Sequence, residues 1–404
     1  MQKHIISRSS LSLKKTLLLF LCLASISFSA CSSTSIAIHK TPAPTATATH
    51  APSAPFLVSS QWQVAYIDQT GTLHGVTLDG KHDQTGKQIQ DPELTSQQSP
   101  GFLCSSISPD GHTFSMDLSQ FMTIDIRGVT PDRLASLQFL AYESFWSPLG
   151  DKEAVLGGDY DFYIINTRDG NPVRIPFDNL THRFNIVGWI DETHLLIETE
   201  TLVPGSSVNV YYTAESLNIA TGKATIIGSL YHAEMPQVAG FISPDGKTVF
   251  IFDVDEQDNP FQLVLATMNL QTGQITQYPH IAAVLQNKDV ITNAVWKPGS
   301  QELVLTTGFQ ENSDLQTWIV HLDTDSITPL VANQFATAWN AETNTILTIS
   351  ANNGMGDGGI AVDRSDPITI YANALDAQER PTSTILTKNA YFTSNLGFIP
   401  PSQP

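Results

Sequence analysis

The tetrapeptide Ser-Pro-Asp-Gly occurs at Ser108-Pro109-Asp110-Gly111 and again at Ser243-Pro244-Asp245-Gly246. Eroded copies of the same turn stand at Trp146-Ser147-Pro148-Leu149-Gly150, Trp189-Ile190-Asp191-Glu192, Trp296-Lys297-Pro298-Gly299 and Trp339-Asn340-Ala341-Glu342. Ser favours the first turn position, Pro fixes φ at the second, and Gly tolerates the strained last one. The residue two before the Pro or its equivalent is always Trp or Ile: Ile107, Trp146, Trp189, Ile242, Trp296, Trp339 and Ile399. Four of the six Trp residues occupy this one slot, which implies one buried environment used repeatedly. The aligned positions 109, 148, 191, 244, 298, 341 and 401 are 39 to 60 residues apart. That spacing brackets the roughly 40 to 50 residues of a four-stranded propeller blade.

A second turn recurs between the first at constant phase. It reads Asn166-Thr167-Arg168-Asp169-Gly170, Asn218-Ile219-Ala220-Thr221-Gly222, Asn269-Leu270-Gln271-Thr272-Gly273 and His321-Leu322-Asp323-Thr324-Asp325. Each copy follows a strand-like run such as Leu263-Val264-Leu265-Ala266-Thr267-Met268, rich in β-branched residues. A unit is therefore inner strand, Pro-Asp-Gly turn, second strand, variable loop, third strand, Asn-x-x-Thr-Gly turn and outer strand. The first strands, Trp62 to Ile67 and Thr72 to Thr77, lack an inner strand before them, whereas Gly397-Phe398-Ile399-Pro400-Pro401-Ser402 matches Gly240 to Asp245 at four of six positions with nothing after it. The expected fold is an all-β, seven-bladed β-propeller of four-stranded blades, closed by the C-terminal strand completing the first blade. A β-sandwich or repetitive adhesin is the competing architecture, and the period argues against it.

These two turns resemble those of the bacterial Pro-Asp-Gly propellers of the TolB-like, WD-repeat-related family, over residues 57–404. The Trp-Asp signature of the eukaryotic branch is absent. The resemblance implies a fold; its members include scaffolds, ligand binders and accessory domains of hydrolases, so it implies no particular chemistry.

The N-terminus carries Lys3, Arg8, Lys14 and Lys15 before the apolar run Leu17 to Leu23, which is the pattern of a secretory signal and too short for a membrane span. It ends in Phe28-Ser29-Ala30-Cys31, similar to a bacterial lipobox apart from Phe28 where Leu is usual. The expectation is a signal peptide over 1–30, lipidation of Cys31, and a tether over 31–56 whose Ser, Thr, Pro and Ala cannot bury a core. Ordinary signal cleavage nearby is the alternative. Beyond residue 30, 16 Lys and Arg stand against 39 Asp and Glu, a net charge of −23. Such acidity disfavours nucleic acid and anionic lipid, so membrane attachment is expected to be covalent, and the chain to be a monomer. Cys22 leaves with the signal, Cys31 takes lipid, and Cys104 reads as a buried apolar filler.

No Gly-x-Ser-x-Gly elbow, His-Glu-x-x-His helix, phosphate loop or paired Cys-x-x-Cys occurs. The scattered His residues read as surface or strand-end residues, and no metal, cofactor or catalytic residue is expected. What does stand out is the acidity of the loops between second and third strands: Asp253, Asp255, Glu256 and Asp258 in one, Glu311 and Asp314 in the next, Asp357, Asp363 and Asp366 in the third. Neighbouring blades would line these up as a negative rim, where long loops carry function. The bland alternative is a solubilising surface, and Asp253-x-Asp255 lacks the Gly and terminal Glu of a calcium loop. The functional expectation is a lipid-anchored extracytoplasmic module that binds a protein, peptide or glycan. The rival is a carboxylate- or metal-dependent propeller enzyme, a lyase or glycoside-active one, acting at the acidic face.

Overall fold

A computed structural model of the protein describes residues 59–88, 105–117, 121–126, 133–137, 141–157, 161–167, 171–176, 183–202, 210–233, 241–255, 262–286, 291–308, 315–350, 367–390 and 396–401. The signal, the tether and all three cysteines lie outside them.

The described strands form seven four-stranded antiparallel sheets. The first contains β1 (Gln63–Ile67), β2 (Thr72–Thr77) and β3 (Asp83–Gln88). The second contains β4 (Ser105–Ile107), β5 (Thr113–Asp117), β6 (Phe121–Asp125) and β7 (Arg133–Leu137). The third is β8 (Ala141–Trp146), β9 (Lys152–Gly157), β10 (Phe162–Asn166) and β11 (Pro172–Arg174). The fourth is β12 (Arg183–Asp191), β13 (His194–Leu202), β14 (Val210–Asn218) and β15 (Ala224–Ala233). The fifth is β16 (Phe241–Ile242), β17 (Thr248–Asp255), β18 (Gln262–Asn269) and β19 (Ile275–Gln277). The sixth is β20 (Ile291–Trp296), β21 (Glu302–Thr307), β22 (Gln316–His321) and β23 (Ser326–Ala332). The seventh is β24 (Gln334–Asn340), β25 (Thr345–Ser350), β26 (Ile368–Leu375) and β27 (Pro381–Ala390). Finally β28 (Phe398–Ile399) lies beside β1, giving the first sheet the order β28-β1-β2-β3.

Here the expectation of a propeller closed by the C-terminal strand completing the first blade requires correction. The C-terminal contribution is two residues long, and it pairs only Ile399 with Gln63 and Phe398 with Val64 at one end of β1. Pro400 and Pro401 follow, and a residue without an N–H cannot continue a ladder. Most of what this segment gives the fold is packing: Leu396 and Phe398 sit with Val64, Tyr66, Leu347 and Ile370 in one apolar cluster shared by the first and seventh sheets.

The repeated turns are built alike. Ser243 Oγ donates to Asp245 Oδ1 at 2.7 Å and accepts from Thr248 N at 3.0 Å, while Gly246 N donates to the Ser243 carbonyl at 2.9 Å. Ser108, Asp110, Gly111 and Thr113 repeat the arrangement. In the second turn type Asn269 Oδ1 accepts from Gln271 N and Thr272 N, both at 3.0 Å, an Asx turn closed by Gly273.

The Trp slot joins consecutive sheets. Trp189 Nε1 donates to the Phe145 carbonyl at 2.7 Å, Trp296 Nε1 to the Phe241 carbonyl at 3.0 Å, and Trp146 Nε1 to Ser106 Oγ at 2.9 Å. In all three the acceptor is the residue just before the slot residue of the preceding sheet. Trp189, Trp296 and Trp339 are buried.

Glycine is required at Gly246. Its φ is +69°, and a Cβ there would fall 1.8 Å from the carbonyl oxygen of Ile190 in the preceding sheet. Gly246→Ala is therefore expected to cost more than about 3 kcal/mol, since backbone must part from backbone as well as hold a left-handed Ala. Urea unfolding checks this, and a cost below about 1 kcal/mol would show that the sheets do not meet there.

One helix is absent from the sequence expectation: α1 (Pro279–Leu285), between β19 and β20. Its seven residues are too few for a helical period to show. Pro279 starts it, Ile281, Ala282 and Leu285 are buried against Trp296 and Trp318, and its N-terminus is capped from afar by Asp325, whose carboxylate accepts from His280 N and Ile281 N at 3.0 and 3.1 Å.

Candidate functional site

Of the residues expected to matter, Cys31, Glu256, Asp258, Glu311, Asp314, Asp357 and Asp363 lie outside the described residues. Asp253 and Asp255 are strand residues, where the sequence suggested loop: β17 pairs with β18 through Asp253 opposite Val264 and Asp255 opposite Gln262. The fourth sheet extends similarly, with β13 paired to β14 as far as Leu202 opposite Val210. Polar composition had masked strand that a well-matched partner sustains.

Three titratable clusters appear that the sequence reading had not assembled. In the first sheet, Tyr66 on β1 and His74 on β2 are register partners, and their rings stack at 4.9 Å. His74 Nε2 faces Asp68 Oδ2 at 3.3 Å, its Nδ1 faces Asp83 Oδ1 at 3.2 Å, and Tyr66 OH donates to Asp83 Oδ2 at 2.7 Å. Burial opposes ionisation of Asp68, yet hydrogen bonds from Thr70, Thr72 and His74 outweigh it and hold its carboxyl below the usual range. Burial first, then the bond to Asp83, pushes the Tyr66 phenol well above its ordinary value. This chain of carboxylate, imidazole, carboxylate and phenol is committed to its own partners.

The second cluster is at the seam of the sixth and seventh sheets. Glu302 opens β21, His321 closes β22, and Glu379 lies in the turn from β26 to β27. His321 Nε2 is 3.0 Å from Glu379 Oε2, and its Nδ1 is 4.0 Å from Glu302 Oε1. Lys297 Nζ holds the other Glu302 oxygen at 2.5 Å and lies 5.1 Å from the centre of the Trp339 ring. Both His74 and His321 are thus part-buried and carboxylate-paired; His321 is a strand-end residue, as expected, whereas His74 lies within β2. Both residues lie at third-to-fourth turns of neighbouring sheets, and that shared phase is the signal the sequence offered.

The third is a single buried acid. Glu153, on β9 between Trp146 and Ile165 in register, has no exposure, and neither carboxylate oxygen has a hydrogen-bond partner. Burial drives its pKa from 4.5 to about 8, although the Ser115 and Ser144 hydroxyls are near enough to pull the other way. Ser115 belongs to the preceding sheet, where its hydroxyl bonds Ser106 Oγ at 2.8 Å.

No protein-family model matches the sequence, and no curated protein matches it. Solved structures do. The β-propeller domain of the Trilobed protease from Pyrococcus furiosus, described as having an open velcro topology, is 10% identical with a TM-score of 0.51, covering 83% of this chain and 99% of that one. An oligogalacturonate lyase from Vibrio parahaemolyticus is 11% identical with a TM-score of 0.49, covering 83% and 86%. A protein assigned as TolB from Agrobacterium tumefaciens is 12% identical with a TM-score of 0.43, covering 67% and 94%. At such identities the likeness is one of fold, and the fold shared is the all-β propeller of four-stranded antiparallel blades.

Proposed function

We propose that the protein is a lipid-anchored extracytoplasmic binding module, whose propeller engages a protein, peptide or glycan and carries out no catalysis of its own. The observation that carries this reading is Ser29-Ala30-Cys31 behind an apolar run and ahead of a Thr, Pro and Ala tether. Such a tether, at roughly 3 Å per residue where extended, holds a domain several tens of Å from a bilayer. The arrangement of the connections supports it as well. The turns described between first and second and between third and fourth strands are short and hydrogen-bonded, whereas the connections between second and third strands are longer, and acidic in the fifth to seventh sheets. Variation concentrated at one end of a rigid scaffold is how binding surfaces are built.

The expected result for Cys31→Ser is loss of the protein from the membrane fraction or retention of its signal. Wild-type fractionation and processing would rule out the lipid anchor. For binding, the intact protein immobilised from solubilised membranes should capture a partner that the variant Asp253→Asn, Asp255→Asn, Glu256→Gln, Asp258→Asn does not; equal capture by both returns these acidic positions to a solubilising role.

A further inference from the structure

We propose that Glu302, His321 and Glu379 form a binding site for one first-row divalent cation, with Zn²⁺ the natural probe, at the seam of the sixth and seventh sheets. The three side chains come from three separate places in the chain, and one ligand atom from each lies within 4.8 Å of the other two. Metal–N and metal–O bonds of about 2.1 Å require ligand atoms about 3 Å apart at right angles and about 4 Å apart when opposed. The 3.0 Å separation of His321 Nε2 and Glu379 Oε2 already meets this. Glu302 faces the other ring nitrogen, with Oε1 4.0 Å from Nδ1, so a cation held by Nε2 and Glu379 requires its carboxylate to turn toward the Nε2 edge through its own side-chain torsions.

The surrounding charges favour the same ligand. Two carboxylates against one imidazole balance a divalent cation. Lys297 does not displace it, because its ammonium is held between Glu302 Oε2 and the face of Trp339, leaving Oε1 on the imidazole side; a partner bonded to the far oxygen in this way orients a ligating carboxylate. Arg380, next to Glu379, is turned to Asp376 with Nε at 2.8 Å from Oδ2 and so does not neutralise Glu379. The imidazole selects against Mg²⁺ and Ca²⁺, which prefer all-oxygen sets. Side-chain exposures of 19%, 26% and 32% for His321, Glu302 and Glu379 leave an open side for water to complete the coordination. The site lies at the end of the sheets that carries the short turns, away from the acidic loops, and is independent of the binding role proposed above.

The test is calorimetric titration of the full-length, detergent-solubilised protein after EDTA treatment, alongside its melting temperature. One Zn²⁺ per chain should bind and raise the melting temperature, with Mg²⁺ and Ca²⁺ inert at equal concentration. His321→Gln and Glu379→Gln should each weaken Zn²⁺ binding at least about tenfold, while the variant neutralised at Asp253, Asp255, Glu256 and Asp258 binds as wild type. Should a ligand variant not fold, X-ray absorption at the zinc edge of the wild-type protein decides, one imidazole being expected in the first shell. No heat and no melting shift with Zn²⁺, unchanged binding by the ligand variants, equal response to Ca²⁺, or a shell with no imidazole would each overturn the proposal.

Discussion

Trp296→Ala is expected to destabilise the domain by about 3 to 5 kcal/mol, the range for large-to-small changes at packed aromatic sites. Trp296 lies in a cluster with Phe250 and Leu265 of the fifth sheet, Tyr278, Ile281 and Leu285 around the helix, and Leu303, Leu305 and Trp318 of its own sheet. Removal of the indole would open a cavity where three elements meet, and would strand the Phe241 carbonyl that its N–H now satisfies. Trp296→Phe separates the two effects. It keeps most of the volume and should cost about 1 to 3 kcal/mol, the range for leaving a carbonyl without its donor. Urea unfolding of both variants is the measurement, and a loss below about 1 kcal/mol for Trp296→Ala would mean that the slot is not core.

Glu153 gives the second large effect, through pH. Its carboxyl has a pKa of about 8 in the fold and 4.5 when exposed, with desolvation the cause. Between those values the folded chain keeps a proton that the unfolded chain gives up, so stability is full below pH 4.5 and falls as pH rises to about 8. At about 1.4 kcal/mol per pH unit the whole fall is on the order of 5 kcal/mol. Glu153→Gln, neutral at every pH, should match wild type near pH 4.5, exceed it by several kcal/mol above pH 8, and show a flatter profile between. Parallel profiles for the two proteins would place the carboxylate in contact with water.

The sequence exposed the blade and hid the sites, for reasons visible in particular residues. Pro109, Asp110 and Gly111 make a turn through their own backbone preferences, so local chemistry is enough to find it; the Trp slot repeats, and in three of its four Trp copies the indole N–H meets the residue just before the slot of the preceding sheet. By contrast the helix from Pro279 is capped by Asp325, forty-five residues away, and nothing local announces it. The acidic positions Asp253 and Asp255 look like loop because polarity suggests exposure, yet the register with β18 keeps them in a strand. His321 and Glu379 are 58 residues apart, and only the docking of one sheet on the next brings them to 3.0 Å. Glu153 is the plainest case. In the charged run Asp151-Lys152-Glu153 nothing local marks one member as buried, and it is the approach of Ser115 from the preceding sheet that helps to close over it.

The indole contacts have one more consequence, for how such a chain can change over time. Two of the three Trp N–H groups bond a main-chain carbonyl of the preceding sheet, at Phe145 and Phe241. A carbonyl is offered by whatever residue occupies the position, so the joint places no demand on the neighbour's side chain beyond its fit. Adjacent units can then drift apart in composition, or be copied and reinserted whole, without any matched pair of substitutions. An architecture held by joints of this sort tolerates wide change in the sequence that builds it.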